Sequence, residues 1–516
     1  MNQLQLFLPC AAGVEALLAA EVKRITGFDG KAWRAGVQLQ ASWRDALQLN
    51  LHSRLAQRVL IELQHNQYRS EQDLYNAAAS VAWEIWFTPK QTFKVEITAQ
   101  HSPLTSLNFA ALKIKDAIAD RFRDKFDVRP DVDTRWPDVR VYAHLTVDTV
   151  TIYIDTSGEP LFKRGWREDK GDAPLKETLA AAMIAASGWD VEAGVALYDP
   201  CCGSGTIAIE AAQIACHIAP GIQRRFAFQK YLPFQAHVWA GVLDQAEAAI
   251  TEPTASVFGS DVSHRMVDFA ERNAERAGVA HAVQFRGGDA LQRLPPAPGG
   301  VMLVNPPYGE RIDVGGVAGV SSQAAAQGRE RQRAPTQVFK GQPIDDFGQP
   351  LRRDVGDART ARERHAAADE RDDSGFAPAR DRSANPSREQ AQTENGEAAD
   401  DFFPQLAAHW KKNYAGWTAH VLSPDLKLPG KMRLKESRRV PMWNGPIECR
   451  LFRFDMVAGS ARGKPAVPPG ENSGAPAASA RPVLPVSPAP LASASASQTA
   501  EAQTPVAPSP PGKERR

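Results

Sequence analysis

Cysteine is scarce. Cys10, Cys201, Cys202, Cys216 and Cys449 are the only five in 516 residues, and no two stand in a C-x-x-C pair. A disulfide scaffold or a cysteine-rich zinc centre is therefore not expected, and a reducing compartment, the cytoplasm, fits best. No apolar run approaches the length of a membrane span. The start, Met1 to Pro9, has no basic segment followed by a long apolar stretch, which argues against a secretory signal. Excess charge is missing as well: 61 Lys+Arg stand against 60 Asp+Glu, a net charge of +1. A nucleic-acid binder relying on bulk charge would be strongly basic, so any such contact here must rest on a local face. Histidines are scattered, and no metal site is apparent.

Large apolar residues are missing from two stretches. Residues 459–516 hold 12 Pro, 13 Ala and 8 Ser and no aromatic residue. Residues 313–400 hold 10 Leu, Ile, Val and Phe in 88 positions, no Trp or Tyr, and dense mixed charge. Neither composition buries enough apolar surface to offset ordering entropy, so both are expected to be disordered. The globular material is then 1–312 plus 401–458.

Up to about residue 157 the pattern is α+β: strands near Gln3–Leu8, Asn50–Gln64, Thr92–Thr98, Val139–Val147 and Thr149–Asp155, with helices at Gly13–Ile25, Glu71–Ala79 and Phe109–Phe122. After about 175 strands and helices alternate. Helices at Leu175–Ser187, Thr206–His217 and Ser263–Ala277 are interleaved with short strands ending at Asp199, Asp261, Asp289 and Asn305. That alternation predicts a doubly wound, mainly parallel sheet. Beyond the inner stretch, a helix is expected at Phe402–Tyr414 and a strand at Trp417–Leu422. An antiparallel hairpin is expected to turn at Asn444-Gly445.

The chemistry gathers at the strand ends. Asp199-Pro200-Cys201-Cys202-Gly203-Ser204-Gly205 joins a strand to a helix. Its glycines permit close backbone approach, and the helix N-terminus offers free N–H groups. An ordinary tight turn reads the same way. So does a dinucleotide fingerprint, Gly203-x-Gly205-x-x-Ala208, but its acid is due about 20 residues on, and Asp261 comes 62 residues after Asp199. Asp261 and Asp289 taken singly suit helix capping. As a set with Asp199 and Asn305, all at carboxyl ends of one sheet, they point to one ligand crevice. Asn305-Pro306-Pro307-Tyr308 is the most specific signal. An Asn side-chain carbonyl and a Pro main-chain carbonyl accept both hydrogens of an aromatic amine and aim its lone pair, while a Tyr face stacks on a flipped base.

With Lys163-Arg164-Gly165-Trp166-Arg167, Ala173–Glu177, Asn305–Arg311, Lys435–Arg439 and Glu448–Phe452, these residues make the chain resemble class I S-adenosylmethionine-dependent methyltransferases that act on exocyclic amines. It is most similar to the THUMP-domain, RlmL-type guanine-N2 methyltransferases of bacterial large-subunit (23S) rRNA. The resemblance implies an α/β fold: a Rossmann-like methyltransferase sheet with an N-terminal α+β ferredoxin-like/THUMP region. It divides the chain into a ferredoxin-like segment 1–50, a THUMP domain 51–157, a linker 158–174 and a catalytic domain 175–312 plus 401–458. It implies cofactor contacts from Asp199, Cys201, Gly203, Ser204, Gly205, Thr206, Asp261, Val262, Asp289 and Ala290, with Asn305, Pro306, Pro307 and Tyr308 on the target amine. The expected partner is large-subunit ribosomal RNA or its precursor, with no metal and no membrane. Some relatives carry a second methyltransferase domain; the tail seen here implies that this activity is absent.

Residues 427–439 carry six cations (Lys427, Lys431, Arg433, Lys435, Arg438, Arg439) and one acid, Glu436. Beside a base-modifying crevice they read as a phosphate-contacting rim, elsewhere as a solvated loop. Arg224–Tyr231 interleaves cations and rings and suits RNA or core packing equally. Asn-Pro-Pro-Tyr alone also fits tRNA guanine-N2 or adenine-N6 methylation. A non-catalytic THUMP RNA-binding protein is the reading from another class.

Overall fold

The computed structural model describes residues 3–171, 174–306 and 396–457. The tail 459–516 and most of the inner stretch, 313–395, lie outside these residues.

Seven strands build the first sheet: β1 (Leu4–Pro9), β2 (Lys31–Trp33), β3 (Gly36–Ala41), β4 (Leu60–Gln67), β5 (Phe93–Ala99), β6 (Val139–Leu145) and β7 (Thr149–Asp155). Their order is β2-β3-β1-β4-β7-β6-β5. Every pairing is antiparallel except β5 with β6. Because β4 pairs with both β1 and β7, the ferredoxin-like segment and the following α+β region share one continuous sheet. Alternation fills its inner face: Val139, Val141, Ala143 and Leu145 of β6 and Val150, Ile152 and Ile154 of β7 are buried. Helices α1 (Glu15–Thr26), α2 (Trp43–His52), α3 (Glu71–Ser80) and α4 (Leu107–Phe126) accompany this sheet.

The strand expected over Asn50–Gln64 is corrected. Asn50–His52 end α2, and the strand is Leu60–Gln67. Ser42 and Asp45 form a capping box that starts this helix upstream of the expected strand, and the helix runs into its first three residues.

The second sheet contains β8 (Leu197–Asp199), β9 (Val257–Asp261), β10 (Val283–Gly287), β11 (Gly300–Val304), β12 (Trp417–Ser423), β13 (Arg438–Asn444) and β14 (Ile447–Asp455). The order is β10-β9-β8-β11-β12-β14-β13. The first five are mutually parallel; the β13–β14 hairpin adds the antiparallel edge. Strand order reverses between β8 and β11, which opens a crevice at their carboxyl ends. The helices are α5 (Glu177–Ser187), α6 (Thr206–Ala215), α7 (Ala236–Ala248), α8 (His264–Arg276), α9 (Gly396–Asn413) and α10 (Leu428–Met432).

Two expectations shift here. Asn444 pairs with Ile447, so the hairpin turns on Gly445-Pro446 rather than Asn444-Gly445. Gly445 supplies φ +59° and Pro446 needs no donor. Helix α9 begins at Gly396, five residues inside the stretch whose composition suggests disorder.

One core of buried apolar residues runs from Leu6 and Leu39 through Trp166 to Ile207 and Leu303. Charge crosses the same boundary. Glu210 of α6 is wholly buried between Arg54, at 3.0 Å, and Arg164, also at 3.0 Å. Arg54 also donates to the Ile218 carbonyl, and Arg164 to those of Leu161 and Arg54.

Candidate active site

The crevice is built from the ends of four parallel strands. Asp199 closes β8 and is 2% exposed. Its Oδ1 accepts the Cys201 N–H at 3.1 Å. Burial, with Asp261 nearby, pushes its carboxyl up to about 8. Burial also raises the Asp261 carboxyl, despite two main-chain donors. Asp261 Oδ2 accepts the Gly203 N–H at 2.9 Å and Oδ1 accepts that of Ser263 at 2.9 Å. The acid at the end of β9 therefore holds the glycine loop after β8 in shape.

Both loop glycines are required. Gly203 has φ +53°, and a Cβ built there meets nothing, so its outer face is open to a ligand. Gly205 has φ +89°, and its Cβ would lie 2.9 Å from Ala270 and 3.1 Å from the Phe285 ring. Thr206 then opens α6, presenting free N–H groups to the crevice. Cys201 and Cys202 line the same turn; burial raises both thiols.

Asp289 follows β10, and its Oδ1 accepts the Leu291 N–H at 2.9 Å. Thus Asp261 and Asp289 do form the local turns that capping implies, and both also stand at the crevice. Val262, 42% exposed, is an apolar surface beside Asp261, whereas Ala290 is buried. Asn305 and Pro306 follow β11, and Asn305 Oδ1 is buried with no hydrogen-bond partner among the described residues. Pro307 and Tyr308 lie outside the described residues.

All six rim cations, Lys427, Lys431, Arg433, Lys435, Arg438 and Arg439, are exposed. Lys427, Lys431, Arg433 and Lys435 lie between β12, the neighbour of β11, and β13, whose first residues are Arg438 and Arg439; β12 and β14 separate that edge strand from β11. Lys431 pairs with Asp425 at 3.2 Å and Arg439 with Glu436 at 3.5 Å. The 224–231 stretch resolves toward packing. Phe226, Phe228 and Tyr231 are buried, and Arg224 donates to the carbonyls of Glu159, Pro160 and Lys163.

Two supporting side chains have roles that sequence reasoning leaves unassigned. Arg167 spans Glu177 at 2.8 Å and the Thr206 hydroxyl at 2.8 Å, tying the linker to the start of α6. Asn273 of α8 donates to the Ser204 carbonyl at 3.1 Å and the Asp169 carbonyl at 2.8 Å. Arg167 belongs to a recognisable sequence run. Asn273 sits in an ordinary amphipathic helix and gives no signal.

Among the described residues no group of His, Cys, Asp and Glu is close enough to hold a metal ion. No described helix is long and apolar enough to cross a membrane.

A doubly wound sheet with acids at adjacent strand ends, a glycine loop and an Asn-Pro turn defines the class I methyltransferase architecture. Three family models match stretches of this chain. Residues 5–60 match the RlmL ferredoxin-like domain, 68–155 the THUMP domain and 164–318 the RMKL-like methyltransferase domain, so the chain carries an RMKL-like methyltransferase domain behind a THUMP domain. Among curated proteins it is similar to the ribosomal RNA large subunit methyltransferase K/L of Shewanella pealeana. The identity is 42% over 464 residues, covering 89% of this chain and 54% of that one. The chain spans about half the length of the curated relatives it matches. Two solved structures share the fold. SMU.472, complexed with SAH, has a TM-score of 0.66 and 22% identity over 90% of this chain and all of that one. A protein described as a predicted N6-adenine-specific DNA methylase from Listeria monocytogenes has a TM-score of 0.65 and 24% identity, over 88% and 96% of the two chains.

Proposed function

We propose that this protein is an S-adenosylmethionine-dependent RNA methyltransferase acting in the cytoplasm on large-subunit ribosomal RNA, and that it methylates the exocyclic N2 amine of a guanine. The observation that carries the reading is Asn305. Its buried Oδ1 has no hydrogen-bond partner among the described residues, and it stands at the strand end to which this reading assigns the target amine. An orphaned buried acceptor is costly unless a ligand supplies the donor. The amine of a flipped base does so.

The donor set suits the cofactor. S-adenosylmethionine supplies, when bound, an electrophilic methyl group on a cationic sulfonium. Asp199 is the buried acid facing the site of the cation, and the open face of Gly203 admits the methionine part. Asp261 stands at the position of a ribose, and Asp289 with Val262 at that of the adenine. Asn305 Oδ1 accepts one amine N–H and the Pro306 carbonyl the other, which turns the nitrogen lone pair toward the methyl group. Tyr308 is assigned to stack on the base. A neutral amine can lose its proton after attack, so no general base is required.

Asn305→Ala should lower turnover on cognate RNA about 100-fold or more, while cofactor affinity stays within about twofold, because the side chain positions only the acceptor. Nucleoside mass spectrometry of rRNA from a deletion strain should show loss of one N2-methylguanosine. Loss of an N6-methyladenosine instead, or a methyl group missing only from tRNA, would reject the substrate assignment. Unchanged turnover in the Asn305 variant would reject the site.

A further inference from the structure

We infer that the β2–β3 hairpin of the N-terminal sheet is a second RNA contact, a stacking platform for an unpaired base next to the target, formed by Trp33 with Lys31 and Arg34. The inference rests on the RNA-methyltransferase reading above. All three residues of β2 are exposed, and Trp33 keeps 50% of its surface in solvent. The Lys31 ammonium sits 4.3 Å from the centroid of the Trp33 ring. Arg34 is exposed as well, and no ion pair joins Lys31 or Arg34 to an acid among the described residues. An isolated exposed aromatic is ordinary. A Trp on a short edge strand, flanked by two cations that no acid pairs among the described residues, matches the pairing of π-face and positive charge that single-stranded nucleic acid selects.

The hairpin is held in place rather than free to swing. Glu15 at the start of α1 receives the Ala35 N–H at 3.0 Å and the Gly13 N–H at 2.8 Å. Cys10 donates to the Ala35 carbonyl at 3.0 Å. Ala35 accepts φ +63°, a left-handed conformation that a non-glycine residue keeps only where such bonds hold it. Gly13 in turn lies against β13: a Cβ there would be 2.2 Å from the Pro441 carbonyl oxygen. Arg438 and Arg439 begin that same strand. Through Gly13 the base of the hairpin thus meets the edge strand that those two cations begin. A single-stranded RNA segment is the occupant this charge and stacking surface fits.

The test uses the full chain. Fluorescence anisotropy with a short unpaired RNA spanning the target, and methylation kinetics on it, are compared for wild type, W33A, W33F and K31E/R34E. W33A should weaken RNA binding roughly tenfold and raise KM without changing kcat, and W33F should recover most of the loss. K31E/R34E should flatten the salt dependence of binding by a slope of about 0.7 per lost phosphate contact. Cofactor binding by calorimetry and melting temperature should match wild type in all three, which separates an RNA effect from misfolding. If wild type methylates this RNA but W33A binds it equally well, the platform is rejected while the methyltransferase reading stands. If W33A instead changes oligomeric state with RNA affinity intact, the hairpin is a protein contact and the inference fails. If wild type neither binds nor methylates the RNA, the underlying reading fails first.

Discussion

A carboxyl group that keeps its proton to about pH 8 while buried at a strand end is a cost to the fold. The unfolded chain releases the Asp199 proton near pH 4. The native chain holds it, so native stability falls progressively as pH rises between about 4 and 8. Asp199→Asn should therefore melt higher than wild type without cofactor, with a gap that widens across that window. Differential scanning calorimetry at pH 5 and pH 8 checks the sign. Function asks for the opposite. A cationic methyl donor favours the carboxylate form, so wild-type affinity should climb as pH approaches 8 and level off above it, by at most tenfold per pH unit. In the Asn variant, affinity should drop by about 1.5–3 kcal/mol at pH 8 and lose that slope. Equal slopes in both proteins would take Asp199 out of the cofactor site.

At the scale of elements, α6 joins two tasks. Its first turn forms the end of the glycine loop, and its second carries Glu210 to the boundary with the N-terminal sheet. Replacing Gly205 by Ala forces a left-handed residue against Ala270 and Phe285, so loop and helix must shift together. Cofactor affinity should fall in step with melting temperature. Glu210→Ala leaves the guanidinium groups of Arg54 and Arg164 buried and facing each other. Breaking such a buried pair costs about 3–5 kcal/mol, whereas a hydrophobic replacement of the whole set is often tolerated. Chemical denaturation should show that loss for Glu210→Ala, and a triple replacement by Met and Leu should recover most of it. A loss below about 1 kcal/mol would mean that water already reaches the cluster.

At the scale of the whole molecule, the N-terminal region and the methyltransferase sheet share one apolar core and the Arg54–Glu210–Arg164 cluster. Residues 1–459 should therefore unfold in a single calorimetric transition. The methyltransferase domain expressed from residue 163 onward would expose the face that now buries Glu210 and should be prone to aggregation. Two resolved transitions would show that the sheets are energetically independent.

Local sequence patterns carry the two halves, the parallel character of the second sheet and the residues at its carboxyl ends. Those features are local: alternation, helical spacing, and glycine or proline at fixed offsets from a strand. Asp199, Gly203, Gly205, Asp261, Asp289 and Asn305 were legible because βα units repeat the same geometry whatever surrounds them. The strand expected over Asn50–Gln64 takes in the last turn of α2, because the Ser42–Asp45 box that starts this helix lies well upstream of the stretch. The remaining features arise from contacts between distant parts of the chain. The pairing of β4 with both β1 and β7, the carboxylate of Asp261 on the Gly203 amide, and the burial of Glu210 between two arginines each join residues far apart in the chain. No local pattern records such partners, because they meet only once both sheets have formed and buried their apolar faces against each other.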